Sequence, residues 1–139
     1  MLALQPGAGG ASGGAFVQIR RQGNASGLED ATDLAGDGGA GGNALSDSEG
    51  RYRFKTIKPG AYPAGPNLIR PSHIHFQVTG RQDRLVTQLY FEGDPYNATD
   101  PFLNSAPVKN ILITKMLDPS PEFEPDSKMV LWDIVVYKG

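Results

Sequence analysis

The chain has 139 residues, 39% hydrophobic and 20% charged, with a formal net charge of -2; that is room for one soluble domain with one core, and no run of Lys or Arg offers a stripe for nucleic acid. It contains no cysteine, so disulfides and thiolate metal sites are excluded, and any bound metal must be held by nitrogen and oxygen donors. No stretch approaches the roughly 18 apolar residues needed to cross a bilayer, and MLALQPGAGG has neither the charged nor the apolar region of a signal peptide, so a cytoplasmic protein without membrane contact is expected.

In a mature secreted form, Asn24-Ala25-Ser26 and Asn97-Ala98-Thr99 would be glycosylation sequons. Residues 1–14 are expected to be flexible, and the domain to be a single unit over 1–139. AFVQIR, from Ala15, reads as a short strand. Thirteen of the 18 glycines fall in the first 50 residues, and LAGDGGAGGNALSDSEG is too rich in glycine to hold a helix or bury much surface, so it predicts a long loop. RYRFKTI then alternates Arg51, Arg53 and Lys55 with Tyr52 and Phe54, the period of a half-buried strand.

HIHFQVTG and LVTQLYFEGDP follow as strands, PVKNILITKML fits either a strand or one short helix, and MVLWDIVVYKG is apolar on both faces, as in a central strand. Short strands bounded by Gly, Pro, Asn or Asp predict an all-β fold, an antiparallel β-sandwich. Tyr52, Phe54, Tyr90 and Phe91 are expected in its core.

Within RPSHIHF lie the only two histidines of the chain, His73 and His75. In a strand they share one face with Gln77, while Ile74, Phe76 and Val78 share the other. The apolar face can pack into the core, which leaves two imidazoles near enough to chelate one ion. By themselves, the two histidines fit a solvated sheet face equally well. Their flanks are more specific. Upstream, TIKPGAYP sets a turn at Pro59-Gly60 and places Tyr62 eleven residues before His73; downstream stands TQLYFEGDP.

The string DSEGRYRFKTIKPGAYP, RPSHIHFQVTG, LVTQLYFEGDP resembles the intradiol ring-cleavage dioxygenases, the family of protocatechuate 3,4-dioxygenase and catechol 1,2-dioxygenase. The resemblance runs through about residues 15–102, and LWDIVV is similar to the family's closing strand. It implies an Fe(III) centre held by Tyr62, His73 and His75, on which a catechol-type substrate and O2 combine to give a muconate-type diacid. A phenolate is a hard donor that suits ferric iron, and neutral imidazole suits most transition metals. The resemblance places Arg70 over the substrate ring, where it would stabilise developing negative charge. It also places Gln88 as a reactant-orienting group and Phe102 as a pocket-lining residue, with the glycine-rich stretch as the long loop over the pocket. Without the resemblance, Arg70 reads as a surface charge before a turn proline and Gln88 as an outward-facing strand residue.

One family feature is missing. The first tyrosine ligand comes from an NAxGxY context after the opening strand, and here that position falls on Leu28 or Glu29. In the family this phenolate also accepts a catechol proton. Glu29 or Asp30 could replace it as ligand and base; if they are plain loop residues, water takes the position. The departure leaves two other readings open: a non-oxidative reaction on a phenolic molecule in the same pocket, and a non-catalytic binding module. A short chain with unpaired strand edges also predicts a homo-oligomer.

Overall fold

The computed structural model describes residues 2–5, 15–21, 42–80, 84–123 and 125–136. The strands are β1 (Leu2–Gln5), β2 (Ala15–Arg21), β3 (Gly42–Ser46), β4 (Phe54–Ile57), β5 (Tyr62–Gly65), β6 (Leu68–Arg70), β7 (His73–Thr79), β8 (Arg84–Phe91), β9 (Ile113–Thr114) and β10 (Lys128–Val130). The helices are short: α1 (Pro101–Ser105) and one 3-10 turn over Lys109–Leu112. Among the described residues no helix is long and apolar enough to cross a membrane.

A five-stranded sheet runs β3-β2-β7-β8-β9, a three-stranded sheet runs β10-β1-β4, and β5 with β6 forms a separate hairpin. The two larger sheets share one core. Ala44, Ile74, Phe76, Leu89 and Phe91 from the first meet Phe54 and Val130 from the second, with Trp132 packed beside them. Phe76 is the hinge of this contact, its ring 5.8 Å from that of Phe54 and 4.9 Å from that of Trp132.

The all-β expectation holds, but the pairing is mixed rather than antiparallel. β7 with β8, β1 with β10 and β5 with β6 are antiparallel, whereas β2 pairs in parallel with both β3 and β7, β1 with β4, and β8 with β9. Parallel neighbours need a connection of about a dozen residues or more, and residues 22–41 between β2 and β3 supply that length. The glycine-rich stretch is also not loop throughout. Residues 42–46 of it form β3, where Ala44 and Ser46 are buried; residues 34–41 of the proposed pocket loop lie outside the described residues. Leu2–Gln5, in the segment expected to be flexible, is the middle strand of the three-stranded sheet.

The strand read as starting at Arg51 begins instead at Phe54. Asp47 accounts for the delay: its Oδ1 accepts from the backbone N–H of Glu49 and of Arg51, and its Oδ2 accepts from Arg51 Nε at 2.7 Å. These bonds close a turn, with Gly50 at φ +81°, where only glycine is unstrained.

The central strand expected over MVLWDIVVYKG is, within the described residues, the three-residue β10 at the end of its sheet. Beyond it, backbone carbonyls find side chains instead of a ladder: Leu131 O accepts from Thr114 Oγ1 and Trp132 O from the Tyr52 hydroxyl at 2.7 Å. Backbone groups satisfied this way have no need of a neighbouring strand. PVKNILITKML divides between the two alternatives, a 3-10 turn leading into β9. Asn97 of the second sequon is half-buried and donates to Phe91 O at 2.8 Å; Asn24 lies outside the described residues.

Truncating Phe76 to Ala removes the ring that joins the sheets, with an expected loss of about 3–5 kcal/mol. Urea unfolding followed by Trp132 fluorescence measures it, since that indole rests on the same ring.

Candidate active site

β7 is the middle strand of the five-stranded sheet, so both its edges are paired and the pleat decides which side chains go to each face. Ile74 and Phe76 enter the core; His73 and His75 emerge opposite it, His73 buried and His75 half-buried. The two Nε2 atoms lie 3.1 Å apart. His73 Nδ1 is 2.7 Å from Pro71 O; a carbonyl only accepts, so Nδ1 carries the proton and Nε2 keeps its lone pair. Two nitrogens each bound at about 2.0–2.1 Å to one ion would stand about 2.8–3.0 Å apart as octahedral neighbours and about 3.3–3.4 Å apart in a tetrahedron, and the observed separation lies between. The pair therefore fits a shared metal.

No group of three or more His, Cys, Asp or Glu side chains converges among the described residues, so a further donor drawn from those residues would be of another type. Tyr62 lies beside the pair. It opens β5, opposite Arg70 in the hairpin, and its ring centroid lies 5.7 Å from that of His73. Glu29 and Asp30 lie outside the described residues, as does Leu28.

β8 completes the wall because its antiparallel register sets Gln88 opposite His75 and Tyr90 opposite His73. Arg70, at the end of β6, reaches into this face with only 5% of its surface exposed. Its Nη2 donates to Gln88 Oε1 at 2.7 Å and to the Tyr90 hydroxyl at 3.0 Å, and its Nε donates to Asp100 Oδ2 at 2.8 Å. Gln88 is thus turned inward, bonded to the arginine, and not an outward strand residue. Arg70 is likewise no surface charge. Phe102 is half exposed, yet its ring lies under the guanidinium, 4.3 Å from Cζ to centroid.

Two residues of this face were not singled out from the sequence as site residues. Tyr90, expected in the core, is buried, but its ring stacks on His73 at 5.6 Å and its hydroxyl also donates to Gln88 Oε1 at 2.8 Å. Phe54 and Phe91 are in the core as expected, with Tyr52 packed against it. Asp100 is wholly buried. The signal for it was present: Asp-Pro ahead of Phe-Leu is a helix start, and Asp100 caps α1 by accepting from Leu103 N at 2.7 Å, with Pro101 in the first turn.

The turns around the strands are held by a second carboxylate. Asp94 Oδ2 accepts from Ser72 N and Oδ1 from Tyr96 N, both at 3.0 Å, while the Ser72 hydroxyl donates to Pro59 O at 2.6 Å. The GDP turn, the RPS bend and the PG turn before Tyr62 are thereby tied together.

Burial, and then the nearby Arg70 charge, lower the His73 pKa to about 4 against the hydrogen bond to Pro71, and the same two causes lower that of His75. Both imidazoles are neutral at pH 7, the form that binds metal. Burial and then Asp100 push the Tyr90 hydroxyl up to about 12, so it remains a phenol. Burial alone would raise the Asp100 carboxyl, but the bonds from Arg70 and Leu103 hold it below its ordinary value. Arg70 is raised despite its own burial, because Asp100 favours the cation.

A family model described as "Dioxygenase" matches residues 8–138. The protocatechuate 3,4-dioxygenase beta chain of Burkholderia cepacia is 57% identical over 70 residues, 48% of this chain and 30% of that protein. An intradiol ring-cleavage dioxygenase of Aspergillus niger is 32% identical over 111 residues, 66% of this chain and 33% of its own length. The chlorocatechol 1,2-dioxygenase of Rhodococcus opacus is 38% identical over 74 residues, covering 42% of this chain and 29% of that protein. The matches thus span about a third of the length of these relatives.

A histidine whose folded pKa is lowered favours the fold above its unfolded value of 6.5, and that contribution disappears as the pH falls toward about 4. Metal-free protein is therefore expected to lose up to about 3 kcal/mol at His73 between pH 7 and pH 4. Thermal melts across this range check it, and the pH slope should shrink in His73→Gln.

Proposed function

The chain belongs to the intradiol ring-cleavage dioxygenases, a family of oxidoreductases, and from that membership we propose that it opens a catechol-type ring between its two hydroxylated carbons, with O2 as co-substrate and a muconate-type diacid as product. The observation that supports this reading best is the convergence of two imidazole Nε2 atoms, 3.1 Å apart, beside Tyr62 and next to the hydrogen-bonded pair of Arg70 and Gln88.

In this reading Tyr62, His73 and His75 hold Fe(III), with Tyr62 as the anionic donor and the histidines as neutral ones. When bound, ferric iron supplies the electron-accepting centre through which a catecholate can react with O2. The other residues act by position and charge. Arg70 keeps a permanent cation against the pocket, where negative charge develops on the substrate ring. Gln88 uses its Oε1 for Arg70 and Tyr90, which leaves its NH2 group to orient the reactants. Phe102 offers a ring edge at the rim. Glu29, Asp30 or water takes the remaining ligand position and with it the proton-accepting role. Association of several copies belongs to the same reading, supported by exposed apolar side chains at Val108, Ile111, Leu131 and Val135.

The purified protein is expected to contain iron, to show a burgundy phenolate-to-iron absorption band, and to consume O2 with a catechol panel. Tyr62→Phe should abolish the band, and His73→Ala or His75→Ala the bound iron as well. A colourless wild-type protein, inert toward catechols after loading with iron, would overturn the reading.

A further inference from the structure

Arginine has five N–H donors in a fixed planar fork. In this pocket three of them are committed, to Asp100 Oδ2 from Nε and to Gln88 Oε1 and the Tyr90 hydroxyl from Nη2. Nη1 has no hydrogen-bond partner among the described residues.

The groups that occupy the other three are themselves held. Asp100 is wholly buried and bonded through Oδ1 to Leu103 N at 2.7 Å, with the Tyr90 hydroxyl 3.3 Å from the same oxygen. Two residues further along α1, Phe102 lies on the guanidinium face. One short segment, Asp100-Pro101-Phe102, therefore restrains Arg70 both in its plane and from one side. A flexible side chain restrained in two directions has few rotamers left.

We propose that Asp100 is a positioning residue for Arg70, which fixes the guanidinium through Nε so that Nη1 presents its two N–H groups to the bound catecholate. The assignment rests on the reading of this pocket as a catechol-cleaving site and adds to it a residue that does not touch the substrate. A carboxylate is needed because it accepts from Nε and from the helix N–H at once while matching the buried cation in charge. An asparagine can cap the helix, but it puts an N–H donor where one of the two acceptors stood, and a serine can cap the helix but cannot reach both.

A misplacement of about 1 Å in a catalytic group can reduce rate by about 100-fold, so Asp100→Asn is expected to lower kcat by about 10- to 100-fold. The decisive measurement is a double-mutant cycle in the iron-loaded protein with Arg70→Ala, Asp100→Asn and the pair. It reads kcat per bound iron and, independently of turnover, the dissociation constant of 4-nitrocatechol by optical titration. If Asp100 works through Arg70, then Asp100→Asn adds less than about twofold to either quantity once Arg70 is alanine. Asp100→Ser, which keeps a helix cap, should behave in the same way.

Effects that multiply in the cycle, or a kcat per iron and affinity unchanged in Asp100→Asn, would overturn the positioning role. So would loss of folding in both capped variants, which would assign Asp100 a purely structural part. Failure of the underlying reading is separately visible, because then the wild-type protein cleaves no catechol at all.

Discussion

The pleat of β7 is the constraint on which the pocket and the core both depend. Successive side chains of a strand point to opposite faces, and β7 lies in the middle of a five-stranded sheet with neighbours on both edges. Ile74 and Phe76 thus enter the core at the same stroke that sends His73 and His75 to the other side. A slip of one residue would bury the imidazoles among Phe54, Leu89 and Trp132 and expose the aromatic ring that joins the sheets. Register against β8 extends the effect, since Tyr90 and Gln88 stand opposite the two histidines. Core packing and donor placement are therefore one requirement, met by one strand.

The second organising feature is a charge that is expensive to bury. A guanidinium taken from water costs several kcal/mol unless it is paired and its donors are bonded. Arg70 meets Asp100 in a salt bridge whose side chains are 6% and 0% exposed, and adds bonds to Gln88 and Tyr90. Buried pairs of this kind contribute little net stability compared with apolar residues of the same shape. Under the proposed function their presence makes more sense as chemistry: burial, and then the cation held rigidly beside the histidines, keeps those imidazoles neutral, and the cation keeps a positive field at the site. The cost falls on the fold, and the advantage is a preorganised site.

Much of the architecture was legible because it depends on local period. Alternation identified β2, β7 and β8, and the shared face of His73 and His75 follows from spacing alone. Pairing was less legible. Nothing local distinguishes a strand that lies parallel to its neighbour, and β3 was hidden in a glycine-rich stretch whose residues 42–46 pair with β2. LWDIVV has the composition of a central strand, yet its carbonyls are taken by Thr114 and Tyr52, partners far away in the chain. Tyr90 was read as core for the same reason: its hydrophobicity is visible in the sequence, and the groups its hydroxyl meets are not.

The amino-acid sequence by itself determined strands β2, β7 and β8, the two-faced character of HIHFQVT and the family whose motifs it shares. These follow from residue chemistry and short spacing, which travel with the chain however it folds. Only the tertiary structure decided that Arg70 would be buried, that Asp100, thirty residues away, would anchor it, and that Gln88 would face inward to meet it. Those outcomes depend on how β6, β8 and α1 come together, because a buried charge takes whichever partner the packing brings within hydrogen-bond reach.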